Sequence, residues 1–494
     1  MICRRPKEKE NLMANDTPQP PSRAASTILS TAFFGLLSAE RPSFESFEEK
    51  AIRLGHEVIA EAMAIALERY DAMLCAELPG AARVHDRRER VLATEVGDVS
   101  FSWRRVRGGA RCRIPLAEAL DLPWGCRVSP GAAAFLVEAG AEVSYAKAAR
   151  LLARKGGSKV SATTVMRAMR AVGAACERED EASAGSLFSD GVKPGGAVEA
   201  EEICMEADGT WVRLQGTCEG EPKRVEIKGM VAYDGKVERG RKVARKNTVH
   251  HGCVAPPGRF WPQSIAAVAE RFDLSKVERV HLGTDGEGWC KRGGGYLPMR
   301  IETIGHLDPF HVNRAVLSCF EDARAGWRVL EVLLDGDKQE AACLLEASIE
   351  LGVAREKNAR RVAGYLRNNM DLIGAEGPSL GTMESENQHL YSARMEAFPC
   401  AWSRQGASDM ARIRSRMHSR RALPKMTRAT SVTPARRRRD AARESRSLPE
   451  GLPAGAVVQS SGRGYLPKQA SVAGASAEVR FAAGLNSGMP RFWG

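Results

Sequence analysis

The sequence predicts a mixed α/β protein: a mainly helical N-terminal region followed by an α/β region that is itself interrupted by helices. Three observations lead there. Apolar residues recur at helical spacing up to about residue 176; β-rich segments alternate with a short helical pattern between residues 202 and 307; and helical patterns return from 312 to 375. At 494 residues the chain is too long for one ordinary core, so two or three folded units are expected.

In chain order, residues 1–40 lack periodicity and are expected to form a flexible leader. From Ser46, with Glu49 three residues on as a capping box, Ile52, Ile59, Met63, Ala66, Leu67, Tyr70 and Leu74 mark a long amphipathic helix. Residues 90–107 alternate around Gly97-Asp98 as a two-stranded hairpin does, with arginines free to touch DNA. Three helical patterns follow at 130–141, 145–154 and 161–172, with Ser144 and Ser161 as N-caps of the second and third. The second and third, joined by a turn at Gly156-Gly157, read as a helix-turn-helix at about 144–173 within a DNA-binding region 41–176, Arg167 and Arg170 lying on the recognition helix. Packing of an ordinary helical pair is the competing explanation. A Gly, Ser and Glu-rich stretch, 177–196, is expected to be a linker.

The α/β region opens with two β segments, 202–214 and 224–233, whose connecting turn contains Gly216 and makes them antiparallel neighbours. A helix is expected at 264–272, then strands at 277–282, running into Thr284-Asp285, and at 300–307, ending at Asp308. Residues 197–311 thus read as the first part of an α/β domain, 312–375 as a helical insertion, and 376–424, with a helix at 384–395, as its last part. The tail, 425–494, is basic and then rich in Gly, Ser, Ala and Pro, a composition that favours little order.

Net charge is +12 with a pI near 9.2, which suits a polyanionic partner. Between Ala411 and Arg446 thirteen Lys or Arg face only Asp440 and Glu444, so nearly all the excess lies in one stretch, and Arg436, Arg437, Arg438 and Arg439 in a row favour phosphate contact. Twelve scattered cysteines, without C-x-x-C or a Cys/His cluster at zinc spacing, point to reduced thiols. The polar N-terminus carries no secretory h-region, and no apolar run reaches the roughly 18 residues a membrane helix needs. A cytoplasmic protein without membrane contact is expected.

Carboxylates at strand ends carry the candidate chemistry. Asp208 stands in Glu206-Ala207-Asp208-Gly209-Thr210-Trp211, and Asp285 in Gly283-Thr284-Asp285-Gly286-Glu287-Gly288-Trp289. An Asp-Gly pair is often only a turn, yet two such acids in one α/β region are what phosphodiester chemistry requires. It needs an activated attacking oxygen and a neutralised leaving oxygen, which two divalent ions about 4 Å apart provide, held by oxygen ligands. Glu384 and Glu386 compete for the third acid, because on a helix they point about 200° apart and periodicity does not choose between them.

These stretches resemble the bacterial insertion-sequence transposases of the ISLre-two group, related in plan to the Mutator-like transposases. Carrying the resemblance are Glu206-Ala207-Asp208 with Val225-Glu226-Ile227-Lys228-Gly229, then Asp285-Gly286-Glu287-Gly288-Trp289, then Leu307-Asp308-Pro309-Phe310-His311, and last Gly381-Thr382-Met383-Glu384-Ser385 with Arg394-Met395 and Ala401-Trp402-Ser403. Upstream, Ser144-Tyr145-Ala146-Lys147-Ala148-Ala149 and Ser161-Ala162-Thr163-Thr164-Val165 are similar to its helical half.

The resemblance implies an RNase H-like catalytic domain with a helical insertion, and a triad of Asp208, Asp285 and Glu384 binding two Mg²⁺ or Mn²⁺ ions. It favours Glu384 over Glu386, since the acid falls ten residues before Arg394. Asp308 and His311 occupy the place of a motif in which an orienting role beside the metal site and a plain buried histidine are equally open. The implied activity is metal-dependent cleavage and strand transfer on double-stranded DNA, acting on element ends and target as a homo-oligomer. Two alternatives stand: an inactive or domesticated DNA-binding regulator, and a structure-selective nuclease on the same scaffold.

Overall fold

Why the helices, strands and insertion fall where they do is set by a few caps, glycines and buried ion pairs. The computed structural model describes residues 23–427, apart from 79–82, 109–110, 123–124, 126, 192–194, 217, 240–241, 379 and 398–399. The chain divides into two units, Met1–Ala119 with Leu152–Lys159, and Leu120–Leu151 with Val160–Gly494. Among the described residues no helix is long and apolar enough to cross a membrane.

In the first unit, α1 (Arg23–Glu40) occupies part of the stretch expected to be a loose leader. Leu29, Phe33 and Leu36 recur at helical spacing and are half-buried while Ile28 and Phe34 stay exposed, a stripe that the expectation of a leader without periodicity missed. The long helix α2 (Phe44–Ala76) begins at Ser43, whose hydroxyl accepts from the Ser46 N–H at 3.3 Å. Pro42, which cannot continue a preceding helix, puts the start three residues before the expected cap at Ser46. Strands β1 (Arg83–Thr94) and β2 (Gly97–Gly108) pair antiparallel, Thr94 opposite Gly97, with Gly97 at φ 119°. They are longer than expected, and α2 is tied to them because Glu68 accepts from the Ser102 N–H at 2.8 Å and Asp71 is bridged by Arg104 at 2.8 Å. β3 (Arg111–Arg113) and α3 (Pro115–Ala119) follow in this unit.

The second unit starts with α4 (Pro130–Glu142), capped by Ser129; α5 (Tyr145–Gly156) follows, its residues from Leu152 on counted with the first unit, and α6 (Ala162–Phe188) is capped by Ser161. The link between α5 and α6 contains Gly157 at φ 83°. Helix α6 runs well past the expected end at Val172 and takes in most of the expected linker. Its Asp180, Ala184 and Leu187 are buried, so tertiary contacts hold a Ser, Gly and Glu-rich segment helical against its own weak preference.

The sheet comprises β4 (Glu202–Arg213), β5 (Arg224–Tyr233), β8 (Val249–Cys253), β9 (Arg279–Thr284) and β10 (Glu302–Leu307), in the order β10-β9-β4-β5-β8. A small hairpin, β6 (Lys236–Arg239) and β7 (Lys242–Arg245), stands between β5 and β8. β4, β5 and β8 are antiparallel neighbours, whereas β9 and β10 run parallel to β4. This makes a mixed sheet with β4 at its centre. On one face Met205, Ala207, Met230 and Ala232 share a core with Phe260, Trp261, Ile265 and Val268 of α7 (Pro257–Arg271). On the other, Cys204, Val231 and Tyr233 meet Met383. The turn of α8 (Gly288–Lys291) follows β9.

After β10 the chain makes α9 (Pro309–Leu317), α10 (Ala323–Leu334), α11 (Lys338–Glu350) and α12 (Glu356–Arg367), the all-helical segment expected, around a core of their own including Val316, Leu330, Leu345 and Val362. It returns to the sheet through α13 (Met383–Asn387), a π-helical turn (Gln388–Ser392) and α14 (Ala393–Met395).

Helix α15 (Arg404–His418) corrects the reading of the basic stretch. Arg412 is 1% exposed and bonds Asp180 at 2.5 Å and Gln263 at 3.0 Å; Arg414 donates to the His389 carbonyl at 2.8 Å; Arg416 bonds Asp180 at 2.7 Å. These three cations are internal ties between α15, α6 and their neighbours and do not belong to a phosphate-facing surface. Arg436 to Arg439 lie outside the described residues.

Candidate active site

The register of the three parallel strands brings the acids together. Ala207 pairs with Thr284, and Thr284 with Leu307, so the next residue of each strand, Asp208, Asp285 and Asp308, falls on one level. Here β9 and β10 end while β4 continues, and Asp208, Asp285, Asp308, His311 and Glu206 line the cleft left beside β4, together with Gly381 and Met383. Ligands in open α/β sheets bind at such carboxyl ends of strands, where neighbouring connections diverge.

Glycines let the third element approach. Asp208 lies opposite Gly229, and Gly229 opposite Gly252, giving a side-chain-free row across β5 and β8. A methyl group on Gly229 would lie 2.8 Å from Met383 and 3.1 Å from Asn387, and one on Gly252 would lie 2.0 Å from the Tyr391 hydroxyl. Only a bare backbone admits the α13 segment this close. Its start is fixed by Glu206, two residues before Asp208 and on the same sheet face. The buried Glu206 carboxylate accepts from the Gly381 N–H at 2.9 Å, the Thr382 N–H at 2.7 Å, the Thr382 hydroxyl at 2.6 Å and the Tyr233 hydroxyl at 2.7 Å.

Glu384 is exposed, and its carboxylate joins Asp208 and His311 in a group whose nearest ligand atoms all lie within 4.8 Å of one another. Glu386 turns the other way: 6% exposed, it is bridged by Arg245 and bonded by His250 at 2.7 Å. An acid already paired with an arginine and hydrogen-bonded to an imidazole is not free for the cleft. Asn387, one helical turn beyond Glu384, donates to Asp208 at 2.8 Å, and the Gly209 N–H donates to the other Asp208 oxygen at 2.7 Å.

Asp285 accepts from the Glu287 N–H at 2.8 Å and lines the cavity without entering the close group. Asp308 caps α9 by accepting from the Phe310 N–H at 2.9 Å, which puts His311 in the first turn, its Nε2 4.0 Å from the Asp308 carboxylate.

Electrostatically, the cleft is short of positive charge. Burial pushes the Asp208 carboxyl up to about 6, opposed by His311 and the Gly209 N–H and reinforced by Glu384 and Glu287. Burial and then the Asp208 charge push Asp285 up to about 6, while burial and the Asp285 charge push Glu287 to about 7. Asp308 is raised as well, chiefly by burial. Carboxylates packed this way disfavour their own ionised forms until a cation arrives. The donor set, carboxylate oxygens with one imidazole, fits a divalent cation.

A family profile for an uncharacterised protein family, UPF0236, matches residues 37–422. The chain belongs to the UPF0236 family. It is 24% identical over 337 residues to a UPF0236 protein of Caldanaerobacter subterraneus subsp. tengcongensis, a match spanning 65% of this chain and 66% of that relative. A second UPF0236 protein of the same organism is 24% identical over 334 residues, covering 65% of this chain and 66% of its own length; for a third these shares are 65% and 63%. This UPF0236 chain therefore spans just under two thirds of the relatives it matches. The names of the first and second relatives join eleven and four locus designations of that one organism.

Of the residues singled out in the sequence of this UPF0236 protein, Asp208, Glu384 and His311 meet within ligand reach, and Asp285 and Asp308 share the cavity of Asp208 and His311. Arg167 is exposed on α6, whereas Arg170 is turned to the protein, donating to Ser403 at 2.6 Å with Asp409 3.7 Å away. Sequence reasoning missed the clamping role of Glu206 and the bond from Asn387. Their signals were present only as spacing: Glu206 shares a strand face with Asp208, and Asn387 shares a helix face with Glu384.

Proposed function

We propose that this protein is a DNA transposase of the acidic-triad type, in which Asp208, Asp285 and Glu384 hold divalent ions in an RNase H-like domain. The observation that carries this reading is the convergence of three separate elements, the centre of β4, the end of β9 and the start of α13, on one cleft lined by ionisable groups without a lysine or arginine. An antiparallel β4-β5-β8 meander continued by two parallel strands, with helices inserted before the third acid, supports the RNase H-like assignment. Relatives whose names join many loci of one genome agree with a mobile element.

Bound there, Mg²⁺ or Mn²⁺ would supply charge neutralisation for the attacking and leaving oxygens of a phosphodiester. The protein's own contribution is position. Asn387 and the Gly209 N–H fix both Asp208 oxygens; the Glu287 N–H fixes Asp285; and Glu206 pins the start of the helix that presents Glu384. The pair α5 and α6, with Arg167 exposed, and the arginine-bearing β1–β2 hairpin are the described candidates for DNA contact.

The test is cleavage and strand transfer on labelled DNA carrying the element's own ends, with Mg²⁺ or EDTA. Products should depend on metal and disappear in Asp208→Asn, Asp285→Asn and Glu384→Gln while DNA binding persists. Binding without products in the unmodified protein would point to a regulator, and hydrolysis without strand transfer to a nuclease.

A further inference from the structure

We infer that His311 is a direct metal ligand, sharing one ion with Asp208 and Glu384, and that this imidazole tunes the site toward Mn²⁺ over Mg²⁺. The inference rests on the metal-site reading above and adds a residue and an ion preference to it. Its basis is geometric. Two donors each about 2.1 Å from one ion lie no more than about 4.2 Å apart, and the ligand atoms of Asp208, His311 and Glu384 all lie within 4.8 Å of one another. Small side-chain rotations close that difference.

The approach of His311 is built into the backbone. Asp308 follows β10 on the level of Asp208 and caps α9 by accepting from the Phe310 N–H at 2.9 Å, so the first turn of α9 carries the imidazole to the cleft. The Asp308 carboxylate lies 4.0 Å from His311 Nε2, near enough to attract the ring electrostatically and too far to hydrogen-bond it. By contrast, His306, which also lines the cavity, is engaged by His281 at 2.9 Å.

The chemistry sets the preference. Mg²⁺ takes oxygen donors and releases water reluctantly, whereas first-row transition ions accept imidazole nitrogen readily. A site of carboxylates alone would discriminate little between Mg²⁺ and Mn²⁺; one nitrogen donor shifts the balance to Mn²⁺.

The experiment uses the full-length protein with Mn²⁺ alone as probe. Binding is measured by the loss of free-ion electron paramagnetic resonance signal, and nitrogen coordination by pulsed measurement of nitrogen coupling to the bound ion. Bound Mn²⁺ is expected to show imidazole coupling that persists in His306→Gln and vanishes in His311→Gln. His311→Gln should weaken Mn²⁺ binding by about 100-fold and narrow the Mn²⁺ over Mg²⁺ preference by about tenfold. Thermal melting without metal confirms that each variant is folded. Mn²⁺ bound in an Asp208-dependent manner without nitrogen coupling, or with coupling that survives His311→Gln, overturns the role of His311 and leaves the carboxylate site standing. Mn²⁺ binding unaffected by Asp208→Asn overturns the metal-site reading itself.

Discussion

Removing the charge of Asp208 should stabilise the metal-free protein while it destroys the site. Burial and neighbouring acids take this carboxyl from its ordinary 3.8 to about 6. At 1.36 kcal/mol per tenfold change in proton affinity, that difference corresponds to about 3 kcal/mol. A group whose folded-state pKa is raised contributes stability that is complete below pH 3.8 and is lost as pH rises to about 6, so above that the ionised carboxylate weakens the apo fold. The side chain is only 8% exposed, so solvent screens little of this. Asp208→Asn supplies a neutral group of the same shape. Asn387, whose Oδ1 has no partner at present, can flip its amide to accept from the introduced one. In EDTA at pH 8 the variant should be more stable than the unmodified protein by up to about 3 kcal/mol, a rise in Tm of several degrees, and at pH 4 the two should converge. With Mn²⁺ added, only the unmodified protein should gain further. Differential scanning calorimetry across this pH range measures all three. A variant less stable than the unmodified protein in EDTA at pH 8 would refute the argument that Asp208 is held as a strained anion awaiting a cation.

Three further outcomes follow from the same geometry. Glu206→Ala leaves the Gly381 and Thr382 N–H groups without their acceptor and should cost about 3 kcal/mol in denaturant unfolding, with faster hydrogen exchange at the start of α13. Glu384→Gln and Glu386→Gln should separate cleanly: the first abolishes metal binding with stability nearly unchanged, while the second weakens the buried bridge to Arg245 and the bond to His250 and lowers stability by about 2 to 4 kcal/mol, as melting with and without Mn²⁺ will distinguish. Arg412→Met removes a buried cation from Asp180 and Gln263 and should destabilise by about 3 kcal/mol without lowering the salt dependence of DNA binding, whereas a loss of salt dependence would return this arginine to the DNA-contacting surface.

The sequence by itself placed β4, β5, β9, β10 and the inserted helices in order, because these segments carry their periodicity locally. It also determined which carboxylates are candidates, since Asp208 and Asp285 announce themselves at strand positions followed by glycine. It did not reveal β8, whose Val-His-His-Gly-Cys is too short and too polar to read as a strand, nor the extension of α6 to Phe188, which depends on Asp180 meeting arginines more than 200 residues away. Periodicity left Glu384 and Glu386 equivalent, and only tertiary structure shows that Glu386 is taken by Arg245 and His250 while Glu384 stands beside Asp208. It alone turned Arg412, Arg414 and Arg416 from a basic run into internal ties, and brought His311 to the carboxylates. Local pattern reports how each segment buries its own apolar face; which charges are then neutralised, and by whom, is set by partners distant in sequence, and no window of residues contains both.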